Sequence, residues 1–171
     1  MKKLIALTWV ALLFTTFGAS AQQDKSKRPS PPAVVKETLS SGTALTIDYS
    51  QPSVKGRTIG KEIAPYGKVW RTGANEATIF EVSRDVKING KALAAGKYAL
   101  HSIPGEKEWT LIFNKKWQKS GTDYNEAEDA LKVVVKPGKS ASFTEKMTFT
   151  VDKSGKVALI WGDVLVPFTV K

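Results

Sequence analysis

From Thr43 onward the chain repeats short apolar or alternating stretches, parted by turn signals at close and regular intervals. That spacing constrains the fold more than any other feature. Residues 43–49 alternate, with Leu45, Ile47 and Tyr49 on one face and Thr46 and Asp48 on the other. Residues 77–83 alternate in the same way, setting Thr78, Phe80 and Val82 against Ile79, Glu81 and Ser83. Residues 86–88 and 91–93 flank Asn89-Gly90, and this pair supplies the positive φ angles of a type I′ hairpin turn. Further strands are predicted over 97–103, 109–114, 130–135, 142–151, 156–161 and 164–170. Pro104-Gly105, Pro137-Gly138 and Gly155 punctuate them. Gly162-Asp163 reads as a tight turn or a bulge, so the last two stretches can be one bent strand. Helical signals are sparse: one or two turns within 120–129 after an Asn or Asp cap, and a short turn within 58–66. A parallel sheet needs crossover helices, and none is legible. The expectation is an all-β chain with one antiparallel β-sandwich or barrel-like domain of about eight or nine strands.

The start of the chain has a different composition. Lys2 and Lys3 precede an apolar run over 4–17, closed by Gly18-Ala19-Ser20-Ala21. This is the pattern of a secretory signal peptide, with cleavage after Ala21 leaving Gln22 first. The run is short of the roughly 20 residues that span a bilayer, so no transmembrane segment is expected after cleavage. The predicted location is periplasmic or secreted. Residues 22–32 are polar, charged and proline-rich and read as a flexible tether, which leaves 33–171 as the domain. The chain has no cysteine, which excludes thiol catalysis, thiolate metal sites, disulfides and a lipoprotein anchor. Net charge is +10, or +8 without Lys2 and Lys3. The lysines are scattered, with only Lys115 and Lys116 adjacent in the domain. That argues against nucleic acid, and points to weak attraction toward anionic envelope polymers.

The connection over 49–76 stands apart. It is long, lacks strand periodicity and mixes four glycines and two prolines with ionisable residues. Arg57 and Arg71 offer planar donor forks suited to carboxylate or phosphate, or else tie the loop to a local acid. Asn75 and Glu76 follow a Thr-Gly-Ala turn, where Glu76 can serve as a general base or simply begin a strand. Tyr49 and Trp70 can pin the stretch by burial. His101 is the single histidine and sits in a strand between Ala99 and Ile103 on its face, which favours a structural role. One histidine and no cysteine make a zinc site improbable on donor count, and no Asp-rich loop has calcium-site spacing. No Gly-x-Ser-x-Gly elbow supports a catalytic triad. Asp48, Glu76 and Glu81 are the carboxylates available for paired acid–base work. Most of the aromatics must fill the core. Trp117 and Tyr124, which flank a lysine-rich loop, are the pair expected to be exposed. The candidate ligand-binding set is therefore Tyr49, Arg57, Trp70, Arg71, Asn75, Glu76 and His101, with no metal and no cofactor implied.

The phrases RPSPP, IDYSQPSVKGR, PYGKVWRTGANEAT, GKALAAGKYALHSIPGEKEWTLIFNK and LIWGDVLVPF run from Arg28 to Phe168. Through them the chain resembles the secreted bacterial proteins, common in Bacteroidota, of domain-of-unknown-function family 2911. The resemblance implies a β-rich exported domain and brings no activity with it. Many of those proteins carry Phe or another apolar residue where this chain has His101, which weakens a catalytic role for His101. Two functions follow: an exported envelope binding module for an unknown small molecule or envelope polymer, or a small secreted hydrolase using carboxylates near Glu76. The hydrolase needs Arg71, Glu76 and a second ionisable group to converge in one concave site.

Overall fold

Ten strands account for most of the computed structural model, which describes residues 24–118 and 123–171. They are β1 (Pro32–Thr38), β2 (Ala44–Ser50), β3 (Thr78–Val82), β4 (Val86–Ile88), β5 (Lys91–Leu93), β6 (Gly96–Ile103), β7 (Trp109–Asn114), β8 (Asp129–Val135), β9 (Gly138–Val151) and β10 (Lys156–Thr169). Among the described residues the helical pieces are two three-residue 3-10 turns, Lys25–Lys27 and Glu126–Glu128. The fold is all-β and antiparallel throughout, as the turn spacing predicts. The signal-peptide region lies within 1–23, outside the described residues.

Six strands form one sheet in the order β1-β2-β3-β6-β7-β8. Its inner face carries Leu45, Ile47 and Tyr49 from β2, Phe80 and Val82 from β3, Leu100 from β6, Leu111 and Phe113 from β7, and Val133 and Val135 from β8. The long β9–β10 ribbon supplies the opposing layer through Met147, Phe149, Val157, Leu159, Trp161, Val166 and Phe168. The small β4–β5 hairpin adds Val86, Ile88 and Leu93 to the same core. Alternation within each strand decides which side chains enter. In β2 it puts Asp48 at the surface and Ile47 and Tyr49 inside.

The Asn89-Gly90 turn has φ values of 45° and 86°, both positive, as its hairpin geometry requires. The last two predicted strands are one, β10, and the register with β9 shifts on both sides of Gly162, so the pair is a bulge. Of the helical reading of 120–129, residues 120–122 lie outside the described residues, and the remainder holds the turn Glu126–Glu128, in which the Asn125 side chain accepts from the Ala127 N–H. The sequence reading missed β1. Its alternate residues are half-buried, so no strong apolar face marks it, yet it pairs with β2 along its whole length.

Candidate functional site

The connection between β2 and β3 crosses the end of the sandwich and touches both layers. Ser53 bridges to Lys146 of β9, and the Val54 N–H donates to the Glu145 carbonyl at 2.9 Å. The chain then turns over residues 58–66, and the Gly67 N–H donates to the Pro104 carbonyl. Trp70 returns to the large sheet by exchanging two 2.8 Å backbone hydrogen bonds with Ser102 of β6. Residues 70–71 thus extend the line of β3 alongside β6, and residues 72–77 loop out before β3 begins.

That outward loop is tightly determined. Thr72 is buried and has φ 50°, an unusual conformation for a β-branched residue. Its hydroxyl donates to Ser102 Oγ at 2.9 Å, and its carbonyl accepts the Thr78 hydroxyl at 2.7 Å. Strain of this kind persists where surrounding bonds over-determine the backbone. Trp70 lies between the layers: its ring stacks on Trp161 at 5.4 Å, meets Trp109 edge-on at 6.2 Å, and donates its Nε1–H to the Gly73 carbonyl.

The seven candidate residues do not come together. Tyr49 is a core residue whose hydroxyl accepts the Phe149 N–H at 3.1 Å, and burial raises its pKa. Arg57 donates to the carbonyls of Val54 and Ser53, bracing its own turn. The Asn75 side chain donates to the Ser30 carbonyl. Glu76 accepts both of its carboxylate contacts from Arg28 Nη1, at 3.0 and 3.1 Å, with Lys25 3.6 Å away. Those bonds from Arg28 hold the Glu76 carboxyl below its ordinary pKa. Asn75 and Glu76 therefore anchor residues 25–30, the segment read from sequence as a tether. A groove of about 320 Å³ lies beside this contact, lined by Lys25, Arg28, Asp48 and Glu76 among others, with Arg71 outside it.

His101 faces away from the core on the outer side of β6, yet it is buried. Tyr124 covers it, the ring centroids 5.1 Å apart. Tyr124 and Trp117 are thus half-buried, contrary to the exposed pair expected. Tyr124 donates to Asp129 Oδ2 at 2.7 Å, and Lys97 sits over the Trp117 ring. Burial and the Asp129 carboxylate push the Tyr124 pKa up to about 12. Asn114 and Lys132 also bond Asp129, so Asn114, Tyr124, Asp129 and Lys132 form one polar network beside His101.

Arg71 differs from the other candidates. The Trp70–Ser102 bridge places Arg71 opposite His101 on the outer face, in a row that continues through Ile112 to Lys132. Arg71 is half-buried, its Nε is buried, and that Nε has no hydrogen-bond partner. All sixteen acidic residues of the chain are among the described residues, and none forms an ion pair with Arg71. Arg71 as a whole is only half-buried, so the remaining guanidinium donors, which no carboxylate engages, can be reached by an external acceptor. Sequence reasoning singled out Arg71 for its position in an unusual stretch. The absence of a carboxylate beside it is visible only in three dimensions.

Among the described residues no group of three His, Asp or Glu side chains is arranged to hold a metal ion, and no helix is long and apolar enough to cross a membrane. No curated protein and no solved structure matches the chain. A family described only as a protein of unknown function, DUF2911, matches residues 30–170, which takes in all ten strands. The chain belongs to the DUF2911 family.

Proposed function

We propose that the protein is an exported binding module of the cell envelope, non-catalytic, whose ligand presents an anionic group to Arg71. The observation that carries this reading is the half-buried Arg71 guanidinium with no carboxylate partner. Arg28 is paired with Glu76, and Arg57 is spent on backbone carbonyls. Arg71 alone among these three is free to provide a planar fork for an incoming anion. The strained loop at Thr72 and the bridge to Ser102 fix the backbone on either side of it, which is the rigidity a specific site needs. Glu76 suits the hydrolase poorly. Arg28 engages both carboxylate oxygens and holds the pKa below its ordinary value, which leaves Glu76 a weak general base. Export rests on the charged start, the apolar run and Ala19-Ser20-Ala21, and N-terminal sequencing of envelope fractions is expected to begin at Gln22; full-length protein confined to the cytoplasm refutes it.

The test of the ligand reading is calorimetric titration of the purified protein with acetate, phosphate and sulfate. Saturable binding of at least one anion is expected, lost in Arg71→Ala and weakened in Arg71→Lys, which keeps the charge without the fork. Unchanged binding in Arg71→Ala refutes the assignment.

A further inference from the structure

We infer that the ligand at Arg71 is a single-chain alkyl carboxylate, its head group on the Arg71 guanidinium and its chain lying across the outer face of the large sheet. This rests on the anion-binding reading above and names the ligand class. The row of outer-face residues next to Arg71 is largely apolar, with Thr110 its one polar member, and is exposed at both ends. Ile103 pairs with Thr110, and Thr110 with Val134, so the three lie side by side across β6, β7 and β8. Val69 immediately precedes the Trp70–Ser102 bridge, which places it beside Ile103 on the same face. Val69 is 42% exposed and Val134 53% exposed. From the line of β3 to β8 is three strand spacings, roughly 14 Å, the reach of an extended chain of about a dozen carbons.

The neighbouring row behaves differently. His101 and Ile112 are buried, with Tyr124 over His101, whereas Val69 and Val134 are exposed and Ile103 and Thr110 between them are half-buried. A cation without a carboxylate partner beside one end of a largely apolar strip is complementary to a molecule with one anionic end and an apolar body. Charge selects the head group. A phosphate monoester carries about −1.5 to −2 at neutral pH and calls for a second cation. The lysine in Arg71's own row, Lys132, is already committed to Glu126 and Asp129. One guanidinium balances one carboxylate.

The test is titration of the purified protein with acetate, octanoate and dodecanoate, alongside octanol, octyl phosphate and anionic phospholipid vesicles. The expected result is affinity rising with chain length, by up to roughly fourfold per methylene. Arg71→Ala should abolish carboxylate binding. Val134→Glu, on the exposed face of an edge strand, should flatten the chain-length dependence while leaving the acetate response intact. Equal affinity for acetate and octanoate overturns this inference and leaves the anion site standing. Octanol binding as tightly as octanoate, or octyl phosphate or vesicles binding in place of octanoate, overturns the carboxylate assignment. Failure of every small anion to bind overturns both this inference and the reading it rests on.

Discussion

Glu76 shows how one residue's role depends on a partner far away in the chain. Its neighbours in sequence suggest a polar loop with spare chemistry. In the fold it receives Arg28, 48 positions earlier, and the carboxylate is committed. Because the folded pKa lies below the ordinary 4.5, this contact stabilises fully above that value and is lost as pH falls through the lowered one. Glu76 is half exposed, so the contribution to global stability stays within about 1 kcal/mol. The effect should be local. Glu76→Gln at neutral pH, or acidification of the wild type below pH 4.5, should expose Lys25 and Lys27 to proteolysis, which peptide mapping reads. The midpoint of thermal unfolding for Glu76→Gln should move by no more than about 2–4 °C. Tyr124 makes the opposite case, because its hydroxyl reaches an Asp129 side chain that is only 8% exposed. Tyr124→Phe removes one donor from a shielded carboxylate and should cost about 1–3 kcal/mol by chemical denaturation.

At the scale of elements, the sequence revealed most of what local chemistry controls. Alternation located β2 and β3, and Asn89-Gly90 located the β4–β5 hairpin to the residue. What it could not reveal depended on neighbours. β1 is half-buried on alternate residues and takes its identity from β2, not from its own pattern. Arg71 was legible as a candidate, but its lack of a carboxylate partner was not, since that depends on where all sixteen acids lie. The exposed reading of Trp117 and Tyr124 failed for a related reason. Lysine-rich flanks look solvated, yet a lysine can cover an aromatic ring, as the Lys97 ammonium does 5.2 Å from the Trp117 ring centroid. One glycine sets the turn between the two longest strands. Gly155 has φ 81°, and a Cβ there would sit 1.9 Å from the Val170 carbonyl oxygen, next to the bond in which the Val170 N–H donates to the Gly155 carbonyl at 2.7 Å. Gly155→Ala should therefore displace the C-terminal end of β10 and lower stability by roughly 2–4 kcal/mol, measured by denaturant unfolding.

For the whole molecule, the decisive feature is that two layers of unlike size must be held in register at an open end. The large sheet has six strands and the ribbon two, so the ribbon cannot close the sandwich by hydrogen bonding alone. The 51–77 connection does so instead, adding a bridge to β9 at Ser53 and a bridge to β6 at Trp70. Trp70 joins the layers directly, stacked on Trp161 of β10 and set edge-on to Trp109 of β7. This explains why a long irregular stretch carries so many aromatic and glycine residues without forming a catalytic cluster: its first task is mechanical. It also explains how Arg71 can be exact in position while lying on a loop, since the bridge and the Trp stack fix the residue beside it. Trp70→Ala should remove both ring contacts and the Nε1–H bond to Gly73 at once. The expected cost is about 3–5 kcal/mol by denaturant unfolding, together with loss of anion binding even though Arg71 is intact. Trp70→Phe, which keeps much of the packing but not the hydrogen bond, should fall between the two. Full anion affinity in a folded Trp70→Ala protein would show that Arg71 is positioned by something other than this brace.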